Sequence, residues 1–116
     1  MKPVELQRSQ PEAGKLTVRL AVPATLSWFA GHFPEQPLLP GVAQLDWVMA
    51  YGAELAPGMH FSSIDSAKFQ RPIVPENQLE LNLQWDAARR VLSFAYTVLK
   101  DEHWWPASSG KIKLCA

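Results

Sequence analysis

The run from Pro40 to Ala56, PGVAQLDWVMAYGAELA, constrains this chain more than any other stretch. Val42, Ala43, Leu45, Trp47, Val48, Met49, Ala50, Tyr51 and Leu55 leave almost no polar face, and a helix of that kind is buried on most sides. Pro40 suits the first helical position, where a missing N–H costs nothing. Pro57-Gly58 stops the helix. It is the one credible helix of the sequence, so its cover must come from strands.

The flanking segments supply them. Leu16, Val18, Leu20 and Val22 alternate with polar or small residues from Lys15 to Val22, the period of a half-buried strand. His60 to Arg71 reads as a strand running into a Pro72/Pro75 turn. Leu79, Leu81, Leu83 and Trp85 alternate with Glu80, Asn82 and Gln84. Val91 to Lys100 and Trp104 to Ala116 complete the set, separated by turns at Asp86–Arg89 and Asp101-Glu102. One strand, a buried helix and a four-strand antiparallel run make an α+β plan in which the sheet wraps the helix. Residues 1–116 are expected to form a single domain, with 1–14 a polar N-terminal segment. Ala24 to Leu39 reads as a loop, yet carries Trp28, Phe29, Phe33 and Leu38, so it is expected over the core or at an interface. That loop and the greasy helix are more apolar surface than a monomer of this size can bury, which predicts a dimer.

Basic and acidic side chains balance at 11 each. That argues against nucleic-acid binding, which calls for a basic surplus. No apolar run is long enough for a membrane span, and Met1 to Gly14 lacks the apolar core of a signal peptide. A cytoplasmic protein is expected. Cys115, the single cysteine, reads as a small residue near the end of the last strand. The three histidines and one cysteine show no metal-ligand spacing, so neither metal nor cofactor is called for.

Three residues are candidates for chemistry. Asp46 has only Val42, Ala43, Met49 and Ala50 at helical spacing. If buried, it is a carboxylic acid available to donate a proton; otherwise it is a surface Asp. His32 sits between prolines in a rigid aromatic loop, which suits either a general base or a structural imidazole. Gly41 lies in the first helical turn, where N–H groups lack intrahelical acceptors and can polarise a carbonyl oxygen; a plain turn before a helix is the alternative. His60 and His103 read as exposed strand-end side chains.

The stretch GHFPEQPLLPGVAQLD, Gly31 to Asp46, resembles the active-site segment of bacterial β-hydroxyacyl-ACP dehydratases, with the same offsets from His32 to Gly41 and to Asp46. AKFQRPIVP, Ala67 to Pro75, is similar to a second segment of that family. The resemblance spans roughly Leu16 to Ala116. It implies the hot-dog fold, with His32 taking the C2 proton of a 3-hydroxyacyl thioester and Asp46 protonating the departing hydroxyl. Gly41 N–H would polarise the thioester carbonyl, and Phe33, Val42 and Phe69 would line the acyl tunnel. It also implies a homodimer with composite sites, or a higher or hetero-oligomer. The partner is an acidic acyl carrier protein, for which Arg89 and Arg90 are the preferred docking pair, ahead of Lys68 with Arg71 and Lys111 with Lys113. Asp46 departs from the branch that has Pro after His-Phe, which usually carries Glu there. The run Leu39 to Trp47 is most similar to the ApeI-like dehydratases of aryl polyene biosynthesis. A hot-dog acyl thioesterase and a non-catalytic acyl-ACP-binding subunit are the competing readings.

Overall fold

The computed structural model describes residues 3–24 and 38–116. Strands β1 (Val4–Ser9) and β2 (Lys15–Ala21) precede helix α1 (Gly41–Leu55). Strands β3 (His60–Phe69), β4 (Gln78–Asp86), β5 (Val91–Lys100) and β6 (His103–Cys115) follow it. All six strands form one antiparallel sheet in the order β1-β2-β4-β5-β6-β3. A curved sheet around one central helix is the expected α+β hot-dog arrangement.

Alternation builds the inner layer. Leu16, Val18 and Leu20 of β2 stand beside Leu79, Leu81 and Leu83 of β4, and the register pairs Leu16 with Leu83 and Leu20 with Leu79. Leu92, Phe94, Tyr96 and Val98 continue the layer on β5, and Ala43, Trp47 and Val48 press onto it from α1. The helix comes so close at Gly52 that an added Cβ would stand 2.5 Å from Leu92 Cδ2. No helix among the described residues is long and apolar enough to cross a membrane.

Two expectations need correction. The polar N-terminal segment holds β1, which pairs with β2 from Val4↔Ala21 to Ser9↔Thr17. Every residue of β1 is exposed, so the strand has no buried face to advertise itself by. The helix is also less enclosed than its composition implies. Ala43, Gln44, Trp47, Val48 and Gly52 are buried, but Val42 is 64% exposed, and Asp46, Ala50 and Glu54 face outward. The sheet covers one side of the cylinder and leaves the other open. His60, His103 and Cys115 lie exposed at strand ends, the cysteine closing β6.

Candidate active site

Pro40 caps α1 with φ −65° and ψ 153°. Its ring fixes φ and so sets the direction in which the Pro40–Gly41 peptide enters the helix. The Pro40 carbonyl accepts the N–H groups of Ala43 and Gln44 at 3.1 and 3.2 Å. Over this first turn lies Phe69, the last residue of β3. A Cβ on Gly41 would meet the Phe69 ring at 2.9 Å, so only glycine lets the ring lie so close to the backbone. Gly41 and Phe69, singled out separately in the sequence, are thus neighbours.

One turn further along, Asp46 lines a hollow of about 420 Å³ with Val42, Leu45, Met49, Phe61, Ile64 and Ile112. Asp46 is exposed in the single chain, which is the surface alternative of the two readings that the sequence left open. It sits on the open flank of α1, and among the described residues the walls around it are otherwise apolar. Phe61 and Ile64 were not singled out in the sequence. Their spacing misses the strand period because β3 shifts register against β6 between Phe61 and Ser63 and between Ile64 and Ser66. The expectations for His32, Phe33, Trp28 and Phe29 lie outside the described residues.

A buried polar cluster holds the start of the helix from behind. Ser108 Oγ donates to Gln44 Oε1 at 2.5 Å, Gln44 Nε2 donates to the Leu39 carbonyl at 3.3 Å, and Tyr96 OH donates to the Gln44 carbonyl at 2.6 Å. Burial, followed by the charges of Tyr51 and Asp46, pushes the Tyr96 phenol well above its ordinary pKa, so it stays a donor. Only an uncharged polar residue amid apolar neighbours hinted at Gln44. Its partner Ser108 lies too far along the chain for any local pattern to pair them.

The basic candidates divide. Arg71 is occupied: its Nη1 donates to the Pro106 carbonyl at 2.7 Å and its guanidinium lies 5.1 Å from the Trp105 ring centroid. Lys68 is exposed opposite Ser109 of β6. Arg89 and Arg90 stand in the β4–β5 turn, where Asp86 accepts the Arg89 N–H at 3.1 Å. Arg90 takes a left-handed φ of 57° and its carbonyl accepts Leu114 N–H at 2.9 Å. Arg89, but not Arg90, shares a hollow of about 680 Å³ with Lys111, Lys113, Asp65 and Asp86.

The ApeI-like family model, described as ApeI dehydratase, matches residues 7–111. The chain is 51% identical to a chain of the dehydratase heterocomplex ApeI:P from Xenorhabdus doucetiae, with a TM-score of 0.92 over 100% of both. An uncharacterised protein from Erwinia carotovora subsp. atroseptica has the same TM-score at 48% identity, over 99% of this chain and 97% of that one. The 3-hydroxyacyl-[acyl-carrier-protein] dehydratase FabZ of Haemophilus influenzae is 44% identical over 74 residues, 53% of this chain and 48% of the relative. The chain thus spans about half the length of the curated relatives it matches. The family match begins ahead of the Leu16 boundary read from the sequence.

Proposed function

Because the chain belongs to the ApeI-like family, we propose that it removes water from a (3R)-3-hydroxyacyl group on acyl carrier protein, giving the trans-2-enoyl thioester in aryl polyene or fatty-acid-like synthesis. The observation that carries this reading is the apolar hollow that holds Asp46, the one acid lining it among the described residues, beside the helix start at Gly41. In the reaction the His32 imidazole takes the C2 proton. The C2–H electron pair becomes the C2=C3 bond as the C3–O bond breaks, and the Asp46 carboxyl protonates the departing hydroxyl. Water leaves, and passage of the C2 proton from His32 to Asp46 restores both groups. Gly41 N–H, at the positive end of the helix dipole, steadies the charge that grows on the thioester oxygen. Phe33, Val42 and Phe69 guide the acyl chain.

The working form is a cytoplasmic homodimer or hetero-oligomer with composite sites. Strand β3 supports this: it is an edge strand exposed along its whole length, the kind of edge that pairs with another chain. Docking of the acidic carrier falls to Arg89 and Arg90, and the nearness of Lys111 and Lys113 to Arg89 favours that end of the sheet over Lys68 and Arg71.

The test is incubation with 3-hydroxyacyl-ACP, followed by mass spectrometry of the carried group. Loss of water is expected. Release of the free acid would make the chain a thioesterase, and an unchanged acyl group in the assembled complex would make it a binding subunit.

A further inference from the structure

A glutamine in the core has to be held on its polar atoms, because an unpaired buried amide is costly. Gln44 is 4% exposed, and both ends of its side chain are engaged. Its Oε1 accepts Ser108 Oγ, and its Nε2 donates to the Leu39 carbonyl. The second contact reaches back across the start of the helix. Leu39 is also held on its other side, where its N–H donates to the Ile73 carbonyl at 2.8 Å. Both polar groups of the residue before Pro40 are therefore fixed to the body of the protein. Pro40 has a locked φ, so fixing the Leu39–Pro40 peptide leaves little freedom in the Pro40–Gly41 peptide that follows. That peptide carries the Gly41 N–H. Ser108, which orients the Gln44 amide, pairs in register with Phe69 of β3, the residue whose ring covers Gly41.

We infer that Gln44 is a positioning residue: its amide ties the Leu39 carbonyl and thereby aims the Gly41 N–H at the thioester oxygen. The inference rests on the proposed dehydration, in which that N–H polarises the carbonyl. The group never touches substrate. Its effect comes from orientation, and a misplacement of about 1 Å in a reacting constellation costs about 10²-fold in rate.

The test uses the full chain with a 3-hydroxyacyl pantetheine thioester. Gln44→Leu removes both contacts and leaves the Ser108 hydroxyl stranded, so it is paired with Gln44→Leu/Ser108→Ala, which removes that hydroxyl and leaves the released Leu39 carbonyl as the change under test. The double variant is expected to fold, to keep the wild-type KM and to lose kcat by about 10²-fold. Its Gly41 amide resonance is expected to move. Ser108→Ala alone keeps the tie to Leu39 and is expected to stay close to the wild-type kcat. A wild-type kcat in the double variant overturns the inference, and so does Ser108→Ala reproducing the whole loss. If the unmodified chain eliminates no water, the proposed reaction fails by itself. The Gly41 resonance then decides the positioning role: unmoved in the double variant, it overturns the role, and moved, it supports it.

Discussion

The two edges of the sheet, β1 and β3, are both exposed from end to end, yet they are managed in opposite ways. On β1, Arg8 donates to Glu5 Oε1 at 2.7 Å and to Glu54 Oε1 of α1 at 2.5 Å, with its guanidinium 5.9 Å from the Tyr51 ring centroid. The strand is short, charged and tied to its own helix, which is how an edge is kept from pairing elsewhere. Strand β3 has ten residues and presents Phe61, Ile64 and Phe69, each about half exposed, the first two lining an apolar hollow. The helix between them repeats the contrast. Glu54, toward β1, is an acid held by a cation, whereas Asp46, toward β3, is an acid among apolar side chains. One side of the molecule is closed on itself and the other, where the proposed chemistry and assembly fall, is open.

The largest effect should come at one of the two acids and not at the other. Asp46→Asn keeps shape but cannot protonate a leaving hydroxyl, so dehydration should fall by about 10²–10⁴-fold. Because the carboxylate is exposed, the melting temperature should hardly move. Glu54→Gln should leave turnover unchanged. Equal losses in the two variants, measured on 3-hydroxyacyl-ACP, would erase the distinction between the flanks.

Next come the strands themselves. Phe61→Arg with Ile64→Arg places two cations on the β3 edge. Light scattering should report monomers, and activity should fall with the loss of the composite site. Val4→Arg with Leu6→Arg changes two residues of β1 that are also half exposed, and it should alter neither mass nor turnover. If the β1 pair dissociates the assembly instead, the interface lies on the wrong edge.

Smaller effects should follow from the glycines that seat each edge. On β6, a Cβ at Gly110 would run into the Ser66 carbonyl oxygen of β3 and stand 2.8 Å from Phe94 Cε1. Neither backbone nor a buried ring yields easily. Gly110→Ala should cost about 1–3 kcal/mol in urea unfolding and speed amide exchange along β3. Gly14, before β2, has φ +81° and its added Cβ would meet Trp85 O at 3.1 Å. Gly14→Ala is strained by its positive φ but meets one backbone atom, and less closely than Gly110→Ala meets its neighbours, so its cost should be the smaller of the two.

Much of this plan is readable before any coordinates. The limits Pro40–Ala56 fall one residue outside α1 at either end because proline and glycine punctuate both. Strands β2 and β4 announce themselves through alternation, and β5 through its aromatic and β-branched residues. The β1 edge is silent because it buries nothing. The openness of α1 is silent too, since apolar composition says that a face wants cover without saying which chain supplies it. Gly41 and Asp46 are legible through their spacing in the motif. The tie from Gln44 to Ser108 and Leu39 is not, because it depends on how β6 passes behind the helix.

The smallest effect expected is a pH response confined to the closed edge. Its hydrogen bond with Arg8, ahead of the opposing desolvation, holds the Glu5 carboxyl below its ordinary pKa of 4.5. A carboxyl depressed in the folded state contributes stability above its unfolded pKa, and that contribution is lost as pH falls through the folded value. The tie of Glu5 to Arg8 and Tyr51 should therefore hold at neutral pH and loosen only in acid, below the ordinary carboxylate range. Both partners are well exposed, with side-chain exposures of 42% and 36%, so water and salt screen the pair and the loss should be small. Hydrogen exchange followed by mass spectrometry, corrected for the intrinsic pH dependence of exchange, should show Val4–Ser9 losing protection only as the pH falls below the ordinary carboxylate range. Over the same interval β5, at the centre of the sheet, should stay protected. Arg8→Gln should show the weakened β1 at neutral pH and no further acid response. If that variant still responds to acid as the parent does, the Arg8–Glu5 pair is not what closes this edge.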